Sequence, residues 1–289
     1  MISLTKYKDR PAIEVKAENL TALFLSEDGA KLASLCNKNG KELMLTRDGE
    51  KYKRLSLDGV YIESECSAFD DMIPTVDPET NLGYDYLDHG DAARIPYSVK
   101  TSDSEAVLFA ASPKLPLSYE KRIYADDGIR IEYKIENLSD SELSFLYAAH
   151  IMLRGEEGLK IETPFSEADK REIVFKTEGY SEEELSRDTL SSFSEGGAAY
   201  KFYYTEKIPE GKFSLRYKDG SILEFLYDKE KLPYLGIWFN NGEFQGIHNI
   251  APEPCTAPFD SPRKASEKGY SAILKPRETF KFTIHIRSY

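Results

Sequence analysis

Four histidines stand in the chain, at positions 89, 150, 248 and 285, and so few imidazoles make each worth weighing as acid, base or ligand. His150 lies in Leu143-Ser-Phe-Leu-Tyr-Ala-Ala-His-Ile-Met152. Both alternating faces of that run are largely apolar, so it reads as a central strand, where an imidazole loses water and its pKa can cross neutrality. A satisfied core histidine gives the same pattern. His89 lies in the polar loop Tyr86-Leu-Asp-His-Gly-Asp-Ala-Ala-Arg94, where carboxylates, an imidazole and a guanidinium crowd together. Loops on rigid sheets often carry function, although a turn closed by aspartate side chains explains the cluster as well. His248 precedes the segment containing Glu253 and suits either a site lining or a structural role, whereas His285 shares its strand face with Lys281, Thr283 and Arg287 and reads as a surface residue. Glu253 itself lies in Asn249-Ile-Ala-Pro-Glu-Pro-Cys-Thr-Ala-Pro-Phe-Asp260. Prolines on both sides stiffen the backbone and exclude regular helix. A carboxylate held this way is pre-positioned to act as a base on one particular hydroxyl, and an exposed glutamate in a proline-rich loop is the plain alternative.

Other chemistries fit poorly. The chain has no nucleophile elbow, phosphate-binding glycine loop, dinucleotide fingerprint or His-Glu-x-x-His metal motif. Its three cysteines, Cys36, Cys66 and Cys255, are far apart and form no Cys-x-x-Cys pair, which points away from a disulfide framework or structural zinc. The formal charge of −12 argues against nucleic acid and anionic membranes as partners. No apolar run approaches the roughly 18 residues of a membrane span, and the first residues carry no apolar leader core. A reducing cytoplasm is the expected location.

The elements that must position these residues are strands. Ile129-Arg-Ile-Glu-Tyr-Lys-Ile-Glu136 and Phe280-Lys-Phe-Thr-Ile-His-Ile-Arg287 alternate strictly, one face for a core and one for water. Further strands are expected over 12–17, 20–25, 106–111, 117–124, 143–152, 213–217, 222–227, 235–239, 245–250 and 270–274. Asp126-Asp-Gly128 and Lys218-Asp-Gly220 separate adjacent runs and predict hairpins. A short connecting helix is expected at Ser181-Glu-Glu-Glu-Leu-Ser-Arg187, which opens like a capping box. With no linker or repeat, the 289 residues predict one large all-β, antiparallel β-sandwich domain with few short helices. Its curved face suits a cyclic polar ligand.

The ordered set Asp88-His89-Gly90, Ala148-Ala149-His150 and Pro252-Glu253-Pro254 resembles the aldose 1-epimerase (galactose mutarotase-like) family. The closing segment from Gly269 to Phe280 and Leu235-Gly-Ile-Trp-Phe-Asn240 resemble it too, so the likeness spans essentially the whole chain. The resemblance implies the family's large β-sandwich and exchange of sugar anomers without cofactor or metal. It implies Glu253 as catalytic base, His150 as general acid and His89 as a loop histidine that binds and polarises the sugar. The family's Asn-Arg loop is replaced by Cys66-Ser-Ala-Phe-Asp-Asp-Met-Ile-Pro-Thr75, which has no arginine. Arg94 and Asp71 are therefore the candidate sugar-binding charges, and Trp238, the single tryptophan, is a candidate stacking surface or core residue. The expected partner is a small-molecule carbohydrate, and a homo-oligomer is compatible with the sequence. The rival functions are a non-catalytic sugar-binding protein on the same fold, motivated by the altered loop, and a glycoside hydrolase or lyase pairing Glu253 with Asp71 or Asp88.

Overall fold

The computed structural model describes residues 1–166, 169–178, 198–270 and 273–289, so the helix expected at 181–187 lies outside the described residues. Antiparallel strands dominate, arranged mainly in an 11-stranded and an 8-stranded sheet. Alternation is the cause. Ile129–Asn137 buries every second residue, and Thr279–Ser288 does the same over most of its length. These two strands pair in register, Ile131 opposite Ile284, at the centre of the smaller sheet. Their apolar faces join Phe24, Leu32 and Phe69 of the larger sheet in one core between the layers. Both Asp-Gly hairpins form. Leu117–Ala125 returns as Ile129–Asn137, and Lys212–Arg216 returns as Ile222–Tyr227.

Two strand expectations need correction where the larger sheet carries its charged residues. The run 143–152 is two short strands, Leu143–Ser144 and Ala148–Ile151, with a third, Leu153–Arg154, just beyond it, and the first pairs outside the main sheets. The run 245–250 begins too early and stops too soon. Residues 243–246 form a turn, and the strand is His248–Cys255, passing straight through Pro252 and Pro254. A proline cannot donate to a ladder and is tolerated where one edge is unpaired. Here the ladder toward the His150 side is broken between Ala148↔Cys255 and Leu153↔Ile250, which brackets both prolines. On its other edge the strand pairs without a gap with Tyr234–Asn241.

Candidate active site

Successive residues of a strand face opposite sides, and this rule sorts the charged residues of the larger sheet. In Phe69–Met72, Asp71 points into the sandwich. It accepts from the Tyr147 hydroxyl at 2.7 Å and forms an ion pair with Lys121 of the opposite sheet. Asp70 points to the outer face, where it accepts from Lys31 Nζ at 2.9 Å and from the Tyr61 hydroxyl at 3.0 Å. Likewise Ile151 joins the core between the sheets while His150 faces outward, and Ile250 joins the core while Asn249 and Glu253 face outward. The outer face forms the floor of a cavity of about 490 Å³.

Inside it, Glu253 Oε1 stands 3.9 Å from His150 Nε2, facing it without a direct hydrogen bond. On its other side, Lys201 Nζ lies 2.7 Å from Glu253 Oε2 and 2.7 Å from Asp260 Oδ1, and Asp260 also accepts from the Tyr203 hydroxyl at 2.8 Å. Gly236 makes room for this arrangement: a Cβ there would lie 2.6 Å from the Tyr203 ring. His89 caps the cavity from its loop. Its ring stacks on Tyr61, with centroids 3.7 Å apart and planes 5° from parallel, and its Nδ1 bonds Asp88 Oδ1 at 2.7 Å. The loop is pinned because Gly90 rests against Ile73, where a Cβ would fall 1.9 Å from the Ile73 carbonyl oxygen.

Tyr61 links the outer charges to His150, whose Nδ1 is 3.1 Å from its hydroxyl. When Tyr61 donates to Asp70, Nδ1 carries a proton and donates to the phenol oxygen. When Tyr61 donates to Nδ1, the neutral ring carries its proton on Nε2, toward Glu253. An imidazolium is served by the first arrangement. Burial, reinforced by His89, Lys201 and Lys31, pushes the His150 imidazole well below its ordinary value. Burial raises the Glu253 carboxyl, and Lys201 pulls against that rise. For Lys201, burial opposes the charge, but Asp260 and Glu253 outweigh it and hold the ammonium above its usual range. Burial would also raise Asp260, yet Lys201 and Tyr203 bring it below the usual carboxylate range.

Of the residues singled out from sequence, Glu253, His150, His89, Asp88 and Trp238 line the cavity. Arg94 and Asp71 do not. The Arg94 guanidinium donates to the carbonyls of Asp88, Gly90, Ser56, Leu57 and Gly59, so it ties two loops together and has no free fork for a sugar. Asp71 is turned into the sandwich, which also removes the Glu253–Asp71 pairing required by one hydrolase alternative. His248 sits at the strand start beside Asn241, and His285 is half-buried beside Asp127. Lys201, Asp260, Tyr61 and Asn249 are among the cavity residues that sequence reasoning passed over. One signal was available: Lys201 is the sole charge in Ala199-Tyr-Lys-Phe-Tyr-Tyr204, a strand buried throughout, and a lysine there must find carboxylates. Among the described residues, no three His, Cys, Asp or Glu side chains group so as to hold a metal ion, and no helix is long and apolar enough to cross a membrane.

No protein-family model and no curated protein sequence matches the chain. Solved structures do. A galactose mutarotase-like protein from Clostridium acetobutylicum superposes with a TM-score of 0.70 at 13% identity, over 100% of this chain and 98% of that one. A candidate aldose 1-epimerase from Klebsiella pneumoniae gives 0.72 at 16% identity, over 98% and 81%. A galactose mutarotase-like protein from Lactobacillus casei gives 0.65 at 15%, over 96% and 100%. At these identities the likeness establishes the fold: the chain is a galactose mutarotase-like antiparallel β-sandwich.

Proposed function

We propose that this chain, with its galactose mutarotase-like fold, is an aldose 1-epimerase-like isomerase that interconverts the α and β anomers of a sugar, acting as one domain over residues 1–289. The observation that carries this is the Glu253 carboxylate facing His150 Nε2 at 3.9 Å within the cavity. The anomeric hydroxyl and the ring oxygen share one carbon, so a base for the first and an acid for the second must be close neighbours. Glu253 removes the proton from the C1 hydroxyl while His150, in the fraction of molecules that carry the pair's one proton on the imidazole, gives that proton to the ring oxygen, and the C1–ring-oxygen bond breaks. The aldehyde turns over. His150 then recovers the proton from the former ring oxygen as that oxygen attacks C1, and Glu253 returns its proton to O1. The pair carries one proton throughout, and each member supplies about 10²–10⁴-fold. His89 and Asp260 orient the sugar hydroxyls, in place of the Arg94 and Asp71 first considered. The free cysteines suit a reducing cytoplasm.

The test is enzyme-dependent anomer exchange, followed by NMR or polarimetry over a broad panel of aldoses. Exchange that is lost in Glu253→Gln supports the proposal, and a panel with no enzyme-dependent exchange sinks it. A non-catalytic sugar-binding protein is the second possibility. It is favoured by the Lys201 ammonium seated on Glu253, which opposes the rise in basicity that burial gives the carboxylate. Sugar binding that survives Glu253→Gln, without exchange in the wild type, would select it.

A further inference from the structure

We infer that the cavity takes two consecutive neutral pyranose units, the reducing-end unit with its anomeric centre over Glu253 and His150 and the next against Trp238, so that the preferred substrate is a neutral reducing disaccharide. This rests on the anomer-exchange proposal for what happens at the first unit. The register of the floor gives the length. Glu253 lies opposite Gly236, Ala251 opposite Trp238 and Asn249 opposite Asn240, in three successive outward-facing rungs. From Glu253 to Asn249 is four strand residues, about 13 Å, more than one ring spans while its C1 stays at Glu253.

The far end is built for a ligand. Asn249 is 2% exposed and lines the cavity, and among the described residues nothing accepts from its Nδ2. A buried amide donor left without an acceptor is costly, and a hydroxyl of a second ring supplies one. Between the two ends stands an aromatic wall. Trp238 lies 5.7 Å from Phe175 and 5.6 Å from Phe244, centroid to centroid, and Phe175 is 39% exposed. These side chains take no part in the core between the sheets. The apolar C–H face of a pyranose stacks on such rings. Charge sets the rest of the class: Asp77, Asp88, Glu253 and Asp260 line the cavity against Lys201 and Lys264, a balance that disfavours phosphorylated or acidic sugars.

Trp238 is the only tryptophan, so its emission reports the second subsite directly. Glucose and galactose are titrated into the wild-type protein beside maltose, cellobiose and lactose, following fluorescence and calorimetry, with anomer exchange measured on the same sugars. We expect at least one disaccharide to bind about tenfold tighter than its reducing-end monosaccharide and to shift the Trp238 emission. Asn249→Ala weakens that disaccharide about fivefold and Trp238→Leu about tenfold by calorimetry, the loss of one hydrogen bond and one stacking contact. Exchange of monosaccharides without any disaccharide advantage overturns the two-ring inference and leaves the epimerase proposal standing. Tight disaccharide binding without exchange upholds the two-ring site and overturns the epimerase. Disaccharides that leave Trp238 emission unmoved overturn the inference whatever the exchange assay gives.

Discussion

At the scale of single residues, Lys201 Nζ stands 2.7 Å from both Glu253 Oε2 and Asp260 Oδ1, and its charge lowers the proton affinity of Glu253 and of His150 together. Removing that charge raises both. Lys201→Met therefore shifts the pH profile of kcat/KM to higher pH on both limbs, which belong to the coupled pair rather than to either residue. His89, Lys31 and Asp260 stay in place. The same variant leaves two buried carboxylates without their cation and costs about 3–5 kcal/mol in urea unfolding. Glu253→Gln lowers kcat by about 10²–10⁴-fold with little change in KM, because the amide keeps the shape and loses the base. His150 makes a further prediction through stability. Its folded pKa is depressed, so the unfolded chain takes up a proton near about 6.5 while the folded chain resists it to lower pH. The contribution of neutral His150 is whole above that value and declines as pH falls toward the folded value. In melting curves the gap between wild type and His150→Gln narrows in that direction. His150 and Glu253 were legible because a charge on an apolar strand and a carboxylate between prolines are local signals. Tyr61, in a short 3-10 turn, and Asp260, in a loop, reach the cavity through contacts far along the chain, which no window of sequence contains.

At the scale of elements, hairpins written as Asp-Gly between alternating runs were readable to within a residue or two, since turn chemistry and alternation are both local. The His248–Cys255 strand was not, because two prolines argue against a strand unless one edge is known to be unpaired, and that is a fact about the neighbour. Asp71 reads from the sequence as a sugar ligand for a related reason. Adjacent acids look alike in sequence, and only the facing sheet shows which of them meets Lys121. Asp71→Ala breaks that buried pair and leaves Lys121 uncompensated, so denaturant unfolding should show a loss of about 3–5 kcal/mol. Anomer exchange per folded molecule should match the wild type, because Asp71 faces away from the cavity. A loss of exchange without loss of stability would refute the assignment of its face.

Over the whole molecule, the net charge of −12 and the acidic cavity act in the same direction on an incoming ligand. Glucose 6-phosphate should bind more weakly than glucose at low salt. The gap should narrow as the screening length falls from about 8 Å at physiological ionic strength to about 3 Å at 1 M, and titration calorimetry across a salt series checks it. The layered all-β architecture was readable because it is the summed outcome of many alternating strands, whereas the two-ended cavity exists only once their registers are set. That dependence comes to a point at Asp70 and Asp71. One carboxylate bonds the two sheets, and its neighbour, through Tyr61, steadies His150. Inserting or deleting one residue in that strand would exchange their sides, placing an unmatched charge in the core and stripping the imidazole of its support at once. Point substitutions can tune either side separately, but changes in chain length here have no neutral path, so length variation among descendants of this chain must be confined to the loops around it.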